Sequence, residues 1–78
     1  MRTLVQLKIG EKGRVKRVQA ETGALRRLMD LGFTPGAWAQ ARLAAPFRGM
    51  RAYQVRGAVI ALRKKDAERV ILEEESHG

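Results

Sequence analysis

Few residues in this chain have side chains able to do bond chemistry. The single histidine is His77, next to the C-terminus, and the only carboxylate cluster beside it is Glu73, Glu74 and Glu75. Imidazole and carboxylates are a ligand set for a divalent transition metal, but a two-His-one-carboxylate arrangement needs a second histidine, and a site needs rigid support. A chain end does not supply that support. The cluster therefore reads as a solvated acidic tail, and no metal ligand is expected. There is no cysteine, so thiolate metal sites and disulfides are excluded. The hydroxyls of Thr3, Thr22, Thr34, Tyr53 and Ser76 each have a structural reading. Gly10-Glu11-Lys12-Gly13 lacks the strand–loop–helix setting of a phosphate loop. No catalytic residue, no cofactor and no enzymatic activity are expected.

What remains is recognition. Sixteen Lys and Arg against eight Asp and Glu give a net charge of +8, unevenly spread. Residues 1–65 carry fifteen basic and three acidic side chains; residues 66–78 carry one basic and five acidic. A basic body suits an anionic partner: nucleic acid, lipid headgroups or an acidic protein surface. The same charge also serves solubility alone.

Candidate contact residues follow from type and pattern. Trp38 shares a strand face with Gln40 and Arg42 and reads as an exposed anchor, because aromatic and arginine side chains dominate binding hot spots. The competing reading packs Trp38 over the mouth of a barrel, since most tryptophans are largely buried. Arg26 and Arg27 point outward from a helix toward an acidic partner, although Arg26 and Asp30 also have i, i+4 spacing for a local ion pair. Leu28 and Leu31 lie on slightly different helix faces, which leaves one at the surface. Arg48, Met50 and Arg51 form a basic loop around Gly49, for recognition or for solvation.

The elements that must position these residues centre on residues 25–36, LRRLMDLGFTPG. Leu25, Leu28 and Met29 at i, i+3 and i+4 make the stripe of a short amphipathic helix, more core than interface. Thr22 is its expected N-cap, and Gly32 suits a left-handed C-cap. Thr34-Pro35-Gly36-Ala37 fits a type II turn. Residues 3–9 form an apolar lead-in and residues 10–13 a turn. Residues 14–19 form a strand whose Val15 and Val18 break parity, which suggests a bulge. Residues 37–44 alternate, with Ala37, Ala39 and Ala41 on one face. Residues 51–56 and 58–63 are strands joined at Gly57 in a two-residue hairpin, with Tyr53 and Val55 on one face. One helical turn over 64–68 and a short strand over 69–72 follow. Short strands separated by turns predict a small closed or half-closed barrel.

At 78 residues this is one domain, taken as 1–73 with a disordered acidic tail over 74–78. A chain of this size buries roughly 60–65% of its unfolded surface, so its stability is marginal. No apolar run reaches the length of a membrane span, and no signal peptide is read at the N-terminus. The expected place is the cytoplasm, at the inner face of the membrane where a membrane protein is the partner.

Three pieces in order, L..LKIGEKGRVKRV (4–18), LRRLMDLGFTPG (25–36) and VRGAVIALRKKDAERVIL (55–72), resemble the FeoA family, the small cytosolic partners of the FeoB ferrous iron transporter. The resemblance implies a mainly β, SH3-like small barrel with one short α-helix inserted after the first strand. It implies an accessory or regulatory role in ferrous iron uptake, through contacts with the cytosolic GTPase region of a FeoB-like transporter. The same fold closes iron-dependent repressors that resemble DtxR, after a helix-turn-helix domain; here the sequence begins directly at the barrel, which favours the stand-alone accessory. Self-assembly through exposed strand edges is a further expectation, and membrane insertion is not. The alternative is a small basic nucleic-acid-binding barrel. DNA binding is not expected, because Phe33, Trp38, Phe47 and Tyr53 are not interleaved with basic residues on one strand face as a stacking platform requires.

Overall fold

The computed structural model describes residues 1–44 and 49–74. In chain order the elements are β1 (Arg2–Thr3), a 3₁₀ turn (Leu4–Gln6), β2 (Lys12–Val18), α1 (Thr22–Asp30), β3 (Trp38–Ala44), β4 (Met50–Val55), β5 (Ala58–Arg63), α2 (Lys64–Ala67) and β6 (Val70–Leu72). The strands form one antiparallel sheet in the order β1-β6-β2-β3-β4-β5. The helix comes after the second strand, because a two-residue β1 precedes the long β2.

Alternation in the sequence sets the two faces of the sheet. Ala37, Ala39 and Ala41 point inward and are at most 6% exposed, with Tyr53 and Val55 inward from β4. Leu4, Leu7, Val15, Leu28, Phe33 and Leu72 complete one core. All three residues of β6, the strand between β1 and β2, are buried. The parity break between Val15 and Val18 is a register shift against β6 between Val15 and Arg17.

Gly13 lies inside β2, opposite Ala39, and not in a turn as the 10–13 reading has it. The turn is confined to Ile9 and Gly10. Glycine is needed at 13 for close approach: a Cβ there would sit 2.7 Å from Leu72 Cδ1 and 3.2 Å from Leu7 Cδ2.

The helix starts earlier than the apolar stripe suggests. Glu21, in extended geometry, is the N-cap, and Thr22 is already helical. Leu28 is fully buried and Leu25 half-buried, but Met29 is 36% exposed, so the helix docks on a narrower stripe than expected. Its end is a Schellman motif. Gly32 at φ 114° donates to the Met29 carbonyl at 3.0 Å, and Phe33 donates to the Leu28 carbonyl at 3.1 Å. The chain then turns at once: Ala37 N–H donates to Thr34 at 2.9 Å, with Gly36 at φ 90°.

β4 and β5 join through Arg56 (φ 49°) and Gly57 (φ 80°), with Val55 opposite Ala58. Both central residues are left-handed, as a type I′ hairpin needs. No backbone ladder joins β1 to β5, so the barrel is not closed by strand pairing. Side chains of β4 span the gap instead. Tyr53 Oη donates to the Leu4 carbonyl at 3.2 Å, and Arg51 Nη1 donates to the carbonyls of Val5 at 3.2 Å and Leu7 at 3.0 Å. Glu73 extends the β2–β6 pairing by donating to the Arg14 carbonyl at 2.9 Å. Arg48, Glu75 and His77 fall outside the described residues, as does most of the 74–78 tail.

Candidate functional site

The side chains that look away from the core are set by the same parity that buries the alanines. On β3 the outward set is Trp38, Gln40 and Arg42; cross-strand pairing puts Arg14 opposite Trp38, Lys12 opposite Gln40 and Gln54 opposite Gln40 on the other side. Trp38 is 58% exposed, so it does not pack over the barrel mouth. Beside it runs an open groove of about 510 Å³, lined by Lys12, Trp38, Gln40, Gln54, Arg56 and Gly57.

This face is held rigid by its own polar groups. Arg42 Nη1 donates to Gln54 Oε1 at 3.0 Å, and Gln40 Nε2 to the Gly10 carbonyl at 3.0 Å. Arg56 Nη2 donates to Thr34 Oγ1 at 2.8 Å. Arg14 Nε donates to the Gly36 carbonyl at 3.2 Å and lies 3.7 Å from the Glu73 carboxylate. Lys12 has no ion pair among the described residues. An indole face ringed by guanidinium, ammonium and amide groups accepts an apolar anchor with a carboxylate beside it. It offers no nucleophile paired to a base.

The other candidates do not gather here. Arg26 is exposed on α1 and forms no ion pair with Asp30. Arg27 instead reaches Asp66 on α2 at 2.9 Å, and Arg69 lies 3.6 Å from the same carboxylate. Leu31 is half-buried against the core. Met50 is half-buried and lines a second groove of about 400 Å³ with Val5, Tyr53, Leu62 and Lys64. Arg51 shares the inward parity of Tyr53 and Val55, and its guanidinium is engaged by the two carbonyls of the N-terminal segment. Trp38 and Arg42 alone fall on the grooved face. Lys12, Gln54 and Arg56 were missed as contact residues there; strand pairing, absent from a linear reading, is what brings them to Trp38.

Burial pushes the Tyr53 phenol above its ordinary value of 10.0, while the Arg51 guanidinium beside it pulls the other way. Among the described residues no three His, Asp or Glu side chains converge as a metal site would need, and no helix is long and apolar enough to cross a membrane.

Comparison with solved structures places this arrangement. No curated protein sequence matches the chain. A FeoA from Stenotrophomonas maltophilia, solved with zinc and described as a prokaryotic SH3 domain protein, superposes with a TM-score of 0.81 at 31% identity, over 94% of this chain and 91% of that one. FeoA from Chlorobium tepidum gives 0.83 at 31% identity, over 97% and 76%. A manganese-dependent transcriptional repressor at 23% identity gives 0.77 over 92% of this chain and 41% of its own, and shares the fold alone. The fold is thus an SH3-like small barrel, left open between β1 and β5. The FeoA domain model matches residues 2–74, nearly the whole sequence, and on that ground the chain belongs to the FeoA family.

Proposed function

We propose that this protein is an accessory factor of ferrous iron transport that docks, without chemistry of its own, on the cytosolic region of a FeoB-type transporter. The family match over residues 2–74 supports the pathway. The Stenotrophomonas relative is itself described as a candidate ferrous iron transport activating factor. The observation that carries the docking surface is Trp38, a large aromatic side chain 58% exposed on a rigid strand and ringed by cations. An indole left in water on a framework this small is a hot spot awaiting a partner. The bound surface is acidic where it meets Lys12, Arg42 and Arg56.

The nucleic-acid reading has less support. Phe33 and Tyr53 are buried, which leaves Trp38 as the exposed aromatic ring among the described residues. One ring is not a stacking platform.

Binding of the purified full chain to the cytosolic GTPase region of a FeoB-type transporter tests the proposal. Saturable binding is expected, with Trp38→Ala weakening it at least about tenfold while circular dichroism stays unchanged. No binding at either low or physiological salt refutes it. Equal affinity of the Trp38→Ala protein moves the docking surface elsewhere.

A further inference from the structure

β5 ends the sheet, and over most of its length it lacks the devices that normally protect such an edge. Ala24 and Arg27 of α1 approach it only around Ala61 and Arg63, across an open groove. Its six residues pair with β4 in unbroken register from Val55–Ala58 to Met50–Arg63. It holds no proline, no bulge and no charge between Ala58 and Leu62. Ala58, Val59 and Ala61 are exposed, Val59 at 60%. At the opposite end of the sheet β1 is only two residues long and begins with Arg2. Bulges, prolines, inward charges and short strands are how edges are kept from pairing, and β5 has none of them.

The backbone geometry says which groups are open. The closing pair of a two-residue hairpin is a hydrogen-bonded one, so the ladder to β4 runs through Ala58, Ile60 and Leu62. The N–H and C=O groups of Val59 and Ala61, and the N–H of Arg63, face away from β4. Among the described residues no other backbone group bonds to them; the Arg63 carbonyl, at the N-cap of α2, is directed into that helix.

Charge selects the occupant. From residue 31 to residue 65 the sequence has seven Lys or Arg and no Asp or Glu. Arg56 stands at one end of β5; Arg63, Lys64 and Lys65 stand at the other. A second copy pairing antiparallel would lay residues 63–65 of each chain against Arg56 of its partner. Parallel pairing sets the same cations side by side. Both arrangements meet like-charge repulsion.

We propose that β5 receives an extended acidic segment of another protein by strand addition. About six residues of that segment match the strand's length of about 20 Å. Main-chain bonds to Val59, Ala61 and Arg63 supply affinity. A β-branched residue packs beside Val59 and Ala61, and carboxylates at the segment's ends pair with Arg56 and with residues 63–65. This surface meets the Trp38 groove only at Arg56, and the main-chain bonds along β5 lie outside that groove, so the inference stands whether or not the transporter is the partner there.

The test titrates the ¹⁵N-labelled full chain with a synthetic peptide, acetyl-Glu-Glu-Val-Thr-Val-Glu-Glu-amide. The expected result is saturable binding, with the amides of Val59, Ala61 and Arg63 shifted and newly protected from hydrogen exchange. Methylating the peptide nitrogens that face β5 weakens binding at least about tenfold, and so does Ala61→Pro, which removes an outward N–H and no ladder bond. The methylated peptide decides the matter if the proline variant does not fold. Trp38→Ala leaves binding unchanged. The proposal is overturned by no binding at about 1 mM peptide, by equal binding of polyglutamate of the same charge, by indifference to N-methylation, or by sedimentation showing β5 occupied by a second copy.

Discussion

Arg51 and Tyr53 do at residue scale what strand pairing does elsewhere in the sheet. Together they donate hydrogen bonds to three carbonyls of the segment 4–7 and so span the open side of the barrel. Arg51→Met removes two charge-assisted bonds from a half-buried site. It is expected to lower stability by about 2 kcal/mol in urea unfolding, with little change in transporter binding. Tyr53→Phe loses one bond and costs about 1 kcal/mol near neutral pH. Its pH signature has a definite sign. The folded-state phenol titrates above 10.0, so the unfolded chain releases that proton first as pH rises. The Tyr53 contribution is complete below pH 10 and falls away between pH 10 and the folded pKa, by at most about 1.4 kcal/mol per pH unit. Unfolding curves collected from pH 8 to 12 should show this decline in the parent protein and its loss in Tyr53→Phe. Tyr53 is the only tyrosine, so its ultraviolet titration reports the site directly.

At the scale of elements, glycines separate three kinds of constraint. Gly32 at φ 114° closes α1, and a Cβ there would also meet Val55 Cγ1 at 3.4 Å. Gly32→Ala is expected to cost at least about 1 kcal/mol through left-handed strain. Gly13 has no such backbone demand but no room either, and Gly13→Ala is expected to cost about 1–3 kcal/mol by overpacking against Leu72 and Leu7. Gly23, in the first turn of α1, meets nothing within 4 Å, and Gly23→Ala is expected to raise stability by about 0.5 kcal/mol. Thermal melts of the three variants should rank in that order of sign, with Gly23→Ala alone above the parent. The tight helix end matters because Phe33 follows it directly into the core, and Trp38 opens β3 five residues later.

At the scale of the whole molecule, the two signs of charge are unevenly placed, with no Asp or Glu from residue 31 to residue 65. The carboxylates of Glu11, Asp66 and Glu73 are engaged by Arg2, Arg27 and Arg14, and Arg42 on β3, Arg56 in the hairpin and Arg63 on β5 are left exposed. These surface pairs contribute little to folding. Their larger effect is on encounter with an acidic partner, so association with the transporter's cytosolic region is expected to slow as salt is raised from 50 to 500 mM, with dissociation changing less. Stopped-flow measurement of both rates checks this. The Arg56→Glu protein should lose most of the salt dependence of association.

Local chemistry was legible along the chain. The Gly32 cap, the Thr34–Ala37 turn, the Gly57 hairpin, the bulge near Val15 and the inward alanines of β3 each follow from a few adjacent residues, because φ preference and two-residue periodicity are properties of short segments. The motif order also carried the family and its SH3-like fold. Other features were decided only when distant segments met. Gly13 looks like a turn residue until Leu72 and Leu7 close on it. Arg51 looks like a surface cation, although its parity with Tyr53 points inward, until the carbonyls of Val5 and Leu7 arrive to satisfy it. Lys12, Gln54 and Arg56 become neighbours of Trp38 through register between β2, β3 and β4. Sequence separation hides such contacts, because side-chain type states what a residue can bond but not which segment will be brought within 3 Å of it.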